Sequence, residues 1–140
     1  MKNIPGFLMI GVLALSLAGC SSDGGLVRPD RPVMTGTVSY RARIALPSTA
    51  VLTIRLLDIT RTDAPAVILA ERSISNPGNP PMKFELPYPY GGITAKRRYV
   101  IEARIEVEGR MRFFSMDAHI VTPENASQPH EVWVEPTKEN

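Results

Sequence analysis

From residue 33 onward the chain alternates apolar and polar side chains in short runs. Met34, Gly36, Val38, Tyr40, Ala42, Ile44 and Leu46 alternate with Thr35, Thr37, Ser39, Arg41 and Arg43. A period of two turns one face of a strand toward a core and leaves the other wet. After the turn residues Pro47-Ser48-Thr49, a second strand over 51–59 puts Leu52, Ile54 and Leu56 on one face and Thr53 and Arg55 on the other. These two strands are expected to pair or to bend across two sheets. The segment 67–74 is less regular, and Val67 to Arg72 would also suit a short helix. Its β-branched start and the breakers on both sides favour a third strand. Met82, Phe84 and Leu86 alternate with Lys83 and Glu85 in a fourth, which Pro87 ends or places at a sheet edge.

The strongest hairpin signal runs from Tyr99 to Val121 around Glu108-Gly109-Arg110. A two-residue turn would set Glu106 opposite Met111 and Ile105 opposite Arg112, which mixes the faces. A three-residue loop pairs Val107 with Met111, Ile105 with Phe113 and Tyr99 with His119, and brings Glu106 to Arg112 on the outside; this register is the one expected. It sends Phe114, Met116, Ala118 and Ile120 away from the face of Ile105 and Phe113. A bulge after Phe113 would instead turn that row into core and expose Asp117 and His119, and the sequence leaves the two open. A last strand over 130–135 carries Val132 and Val134 on one face and Trp133 on the other. About seven strands with turns at this spacing predict an all-β fold, an antiparallel β-sandwich over 33–136 with a polar tail at 137–140.

The N-terminus has a different pattern. A basic start at Lys2 precedes an apolar run from Phe7 to Leu17 that is shorter than the ~20 residues of a bilayer span and ends in small residues, as a cleaved signal does. Leu17-Ala18-Gly19-Cys20 has the form of a bacterial lipobox. Residues 1–19 are therefore expected to be removed, with Cys20 acylated on its sulfur and its new amino group. One acyl chain holds a protein only weakly, whereas several make the anchor effectively permanent. Ser21 follows rather than Asp, which by the sorting pattern of enteric bacteria sends the protein to the outer membrane, facing the periplasm. Residues 20–32, polar with glycine and proline breaks, read as a flexible tether.

Removing 1–19 from the 140 residues leaves 121, enough for one domain. Of the 16 Lys and Arg, Lys2 leaves with the signal, so 15 face 14 Asp and Glu. That balance is no nucleic-acid footprint. Cys20 is the single cysteine, so acylation leaves no thiol for a disulfide, a metal or catalysis. His119 and Asp117 sit two apart on one predicted strand face, but no nucleophile elbow accompanies them, and a half-buried structural histidine beside Tyr99 is expected. His130 reads as a turn residue. Two histidines do not suggest a zinc site, and neither metal nor cofactor is implied. Glu102, Glu106 and Glu108 alternate with Arg104 and face Arg110 and Arg112 as solvated cross-strand charge. Two surface features stand out. Phe114, Met116 and Ile120 form an apolar row suited to a partner's helix or strand; Arg41, Arg43, Arg55, Arg97 and Arg98 are candidates for a basic area near anionic membrane, or for the wet face of a sheet.

Ordered segments of the chain resemble the YbaY/YscW-like lipoprotein family. They are Gly36-Thr37-Val38, Arg43-Ile44-Ala45-Leu46-Pro47, Ala50-Val51-Leu52, Leu57-Asp58, Asp63-Ala64-Pro65, Phe84-Glu85-Leu86-Pro87-Tyr88, Arg98-Tyr99, Ala103-Arg104-Ile105 and Gly109-Arg110. The resemblance implies an immunoglobulin-like β-sandwich on a lipid anchor. One branch of the family comprises pilotins, which carry a type III secretion secretin to the outer membrane. The expectation is a non-catalytic, periplasm-facing binding or assembly module, attached to the membrane by Cys20, with a secretin or another envelope protein as partner. An envelope polysaccharide or small-ligand binder is the rival reading, and would need a pocket lined by aromatics such as Tyr88, Tyr90 and Trp133.

Overall fold

The computed structural model describes residues 31–138. The signal segment 1–19, Cys20 and all but the last two residues of the tether lie outside the described residues, as do Glu139 and Asn140. Nine strands occur among the described residues: β1 (Val33–Ser39), β2 (Ala50–Asp58), β3 (Val67–Ser75), β4 (Met82–Pro87), β5 (Tyr99–Val107), β6 (Arg110–Phe114), β7 (His119–Val121), β8 (His130–Trp133) and β9 (Glu135–Pro136). They form a β-sandwich. One sheet has the order β4-β1-β8, the other β3-β2-β5-β6-β9, with β7 also paired to β5.

Alternation drives the two inner faces together. Met34, Val38, Phe84, Leu86 and Val132 from the small sheet meet Leu52, Ile54, Leu56, Ile101, Ile105 and Phe113 from the large one, all buried. Each such side chain contributes about 1.5–3 kcal/mol on leaving water. β4 shows the pattern most clearly, with Met82, Phe84 and Leu86 inward and Lys83 and Glu85 outward along a sheet edge. Gly36 lies where the chain comes closest to itself: a Cβ there would collide with the His130 carbonyl of β8 and lie 2.8 Å from the Phe84 ring.

The first predicted strand ends early. Tyr40 stacks on Phe113 with ring centroids 4.6 Å apart and donates its hydroxyl to the Ile44 carbonyl at 2.8 Å, folding 40–46 into the crossing between sheets. β1 and β2 therefore belong to different sheets, and β1 pairs with β4 and, in parallel, with β8. The segment 67–75 is a strand, not a helix. Its weak alternation follows from its place at the edge of the large sheet, where Val67 and Ile68 stay half exposed.

The hairpin register differs from the expected one near its turn. Glu108 and Gly109 both have positive φ, 52° and 77°, and close a two-residue turn, so Val107 pairs with Arg110 and Glu106 with Met111. The faces do not mix, because a bulge between Ile105 and Glu106 takes up the extra residue and restores Ile105 opposite Phe113. Further along, Tyr99 meets Val121 rather than His119. From Phe113 to His119 the chain advances six positions while β5 moves four, from Ile105 to Ile101. The surplus is looped out around residues 115–118. An even surplus keeps the faces in phase, so Val121 points into the core and Ile120 points out. The last predicted strand is also split: β8 ends in the small sheet, Val134 donates to the Ser39 carbonyl at 2.9 Å, and β9 joins β6 in the large one.

Both sheets present the N-terminal connection and three loops at one end. There the Tyr88 amide donates to the Pro32 carbonyl at 3.0 Å and the Ile59 amide to the Arg98 carbonyl at 2.9 Å. The opposite end carries the 40–47 crossing and the hairpin turn.

Candidate functional site

The outer face of the large sheet carries a row of apolar side chains across four strands. Ile68 of β3 pairs with Leu57 of β2, Leu57 with Val100 of β5, and Val100 with Ile120 of β7. Three strand spacings make the row about 14 Å long, the length of a helix of roughly ten residues. Ile68 and Ile120 are 50% and 62% exposed, so the row is open at both ends, while Leu57 is nearly covered. Beside it, Val100, Phe114, Met116 and Ala118 line a shallow depression, with Met116 70% exposed. Phe114, Met116 and Ile120 thus lie on the outer side of the molecule. Sequence alternation alone did not reveal Leu57, Val100 and Ile68. Leu57 and Val100 sit in the outward phases of β2 and β5, but Ile68 comes opposite Leu57 only through the bulge that leaves Leu69 of β3 unpaired, for which the sequence has no signal.

One step along the strands lies a charged row. Glu71, Arg55 and Glu102 are cross-strand neighbours, with Arg55 ion-paired to Glu71 and its Nη1 3.8 Å from Glu102. Arg104 continues the pattern toward Glu106 at 3.9 Å. These half-covered pairs fix side chains beside the apolar row and contribute little stability each.

The predicted chemistry is rearranged. Asp117 is exposed in the looped-out segment, apart from the core. His119 instead meets His130, which is buried at the start of β8 rather than in a turn, with Nε2 and Nδ1 2.9 Å apart. Burial lowers the pKa of both rings; for His130 the neighbouring His119 adds to this, and the Asn125 and Ala126 backbone partly opposes it. The neutral pair bridges the edges of the two sheets. Among the described residues no group of three or more His, Cys, Asp or Glu is placed to hold a metal ion.

The aromatics expected in a ligand pocket do not converge. Tyr88 follows Pro87, which pairs with Val33 at one end of β1, whereas Trp133 pairs with Ser39 at the other. Trp133 lies under Arg41, 5.2 Å from ring centroid to guanidinium, and Tyr90 projects from its loop, 85% exposed. The arginines also separate. Arg41 is at the Trp133 end, Arg55 is within the charged row, and Arg97 donates to Asp58 at 2.8 Å. Asp58 is buried, accepts from the Thr60 amide and hydroxyl at 2.9 and 2.6 Å, and is held down to about 2 by Thr60 and Arg97. A cavity of about 530 Å³ lies at the end far from the N-terminal connection, between Ile44, Leu46, Val107 and Phe113.

Residues 29–134 match the family model described as "Type III secretion system lipoprotein chaperone (YscW)". The chain belongs to the YscW family. A solved structure titled "Structure of an alternative pilotin from the type II secretion system of Vibrio cholerae" is 36% identical, with a TM-score of 0.71 over 77% of this chain and 98% of that one. The protein named "Uncharacterized lipoprotein YbaY" from Escherichia coli (strain K12) is 33% identical over 86 residues, 61% of this chain. That match spans 45% of the relative's length, so the chain accounts for about half of it. This YscW-family chain is thus an envelope lipoprotein of a chaperone-type family, built as a β-sandwich.

Proposed function

We propose that this YscW-family protein is a non-catalytic pilotin: a lipoprotein anchored through Cys20 in the outer membrane, facing the periplasm, that binds a secretin subunit and assists its assembly. The observation that carries this reading is the Ile68–Leu57–Val100–Ile120 row with Met116 and Phe114 beside it. A sheet face that is apolar over about 14 Å and bordered by paired charges suits the apolar face of a short amphipathic segment. The acyl anchor supplies localisation and the tether supplies reach, so no reaction chemistry is needed. The scattered positions of Tyr88, Tyr90 and Trp133 give the glycan-binding alternative no comparable surface.

The test is co-purification of the host's secretin with the full chain. Met116→Glu with Ile120→Glu places charge on exposed positions and leaves the core intact, so the fold, read by circular dichroism, is retained. Secretin recovery falls about tenfold or more if these side chains are anchors of the interface. Undiminished recovery from a folded double variant would refute the surface, and no secretin on the wild type would refute the pilotin role.

A further inference from the structure

The end of the sandwich that bears the N-terminal connection has a composition of its own. Tyr90 stands at the tip of a turn in which the Gly92 amide donates to the Pro89 carbonyl at 2.9 Å and Gly91 has φ of 69°, so the ring is pushed outward. The loop behind it is held firmly: the Thr94 amide donates to the Tyr99 hydroxyl at 3.2 Å, the Arg98 amide to the Thr60 hydroxyl at 3.0 Å, and Arg97 to Asp58. Arg31, Arg61, Lys96, Arg97 and Arg98 are exposed there. Of the carboxylates at the same end among the described residues, Asp58 and Asp63 pair with Arg97 and Arg61, which leaves Glu124 against Arg31, Lys96 and Arg98.

We propose that this end is a bilayer-contact face, with Tyr90 at headgroup depth and Arg31, Lys96 and Arg98 against anionic lipid headgroups. The inference rests on the reading of Cys20 as the anchor. Cys20 is eleven positions ahead of Arg31, a span that reaches at most about 40 Å, and the Pro32–Tyr88 hydrogen bond joins that tether directly to the Tyr90 loop. A tyrosine ring has an apolar body and a polar tip, the chemistry of membrane interfaces, and lysine and arginine close to an anionic surface are attracted to it. A loop already fixed by hydrogen bonds loses little entropy on contact. With this end on the membrane, the strands stand away from it and the apolar row stays open on the flank.

The acylated full chain, carrying Tyr90→Trp and Trp133→Phe, would be placed in vesicles with brominated acyl chains, made either of phosphatidylethanolamine with phosphatidylglycerol or of phosphatidylcholine. The expected result is a blue-shifted emission from the indole at position 90 on the anionic vesicles, quenched severalfold more than that of Trp133 in the chain that keeps Tyr90. Adding Lys96→Glu and Arg98→Glu weakens the contact by about fivefold per residue removed. Emission as in water, quenching indifferent to lipid charge, or release by inorganic phosphate would each overturn the proposal. Flotation in high salt reports the acyl anchor separately. A chain that does not float would refute the anchor, and quenching at position 90 in low salt would still decide the face.

Discussion

Gly36 shows how one residue sets the spacing of the small sheet. The His130 carbonyl and the Phe84 ring occupy the space a side chain would need, so Gly36→Ala forces β8 or Phe84 to move. Overpacking of this kind costs about 1–3 kcal/mol, and the expected outcome is a lower midpoint in urea unfolding with an unchanged slope. The His119–His130 pair makes stability pH-dependent. Both pKa values lie below the ordinary 6.5, so the unfolded chain binds protons first. The pair's contribution is full above pH 6.5 and is lost as pH falls below it toward the folded values. Asp58 adds a second window: with its pKa lowered from 3.8 to about 2, its contribution is present above 3.8 and lost between those values. Thermal unfolding between pH 8 and 5 should show the first loss, and His119→Leu with His130→Leu should flatten it.

The elements differ in how openly the sequence announces them, and the reason is geometric. β4 and β8 contrast an apolar face with a wet one, so alternation alone locates Met82, Phe84, Leu86 and Val132 in the core. β3 does not alternate, because an edge strand is wet on more than one side. The hairpin is the instructive case. Matching the faces argues against a two-residue turn, but the chain adopts that turn and corrects the phase with a bulge at Arg112. Bulges and looped-out residues change the register without changing the composition, so the apolar row is only partly legible: Phe114, Met116 and Ile120 stand out, Leu57 and Val100 follow from the outward phases of β2 and β5 once those strands are paired, and Ile68 depends on the β3 bulge. Glu108 holds a positive φ of 52° in this turn, a conformation that favours Asn before Gly. Glu108→Asn should raise stability by about 1 kcal/mol, read as a higher melting temperature with the fold unchanged.

At the scale of the whole molecule, function follows from which surfaces are left uncovered. Family membership, over residues 29–134, and a pilotin structure matched along nearly its full length agree with the sandwich. In the proposed reading the N-terminal end is the one attached to the membrane, and the large sheet's outer face carries the apolar row. Tethering the first would leave the second facing sideways, within reach of a protein assembling in the same membrane. The most direct test is site-specific photocrosslinking in cells, with the reactive side chain placed in turn at Ile68, at Ile120 and, on the other sheet, at exposed Lys83. The account expects crosslinks to the secretin from positions 68 and 120 and none from 83. Crosslinks from 83 alone, or equally from all three, would contradict it.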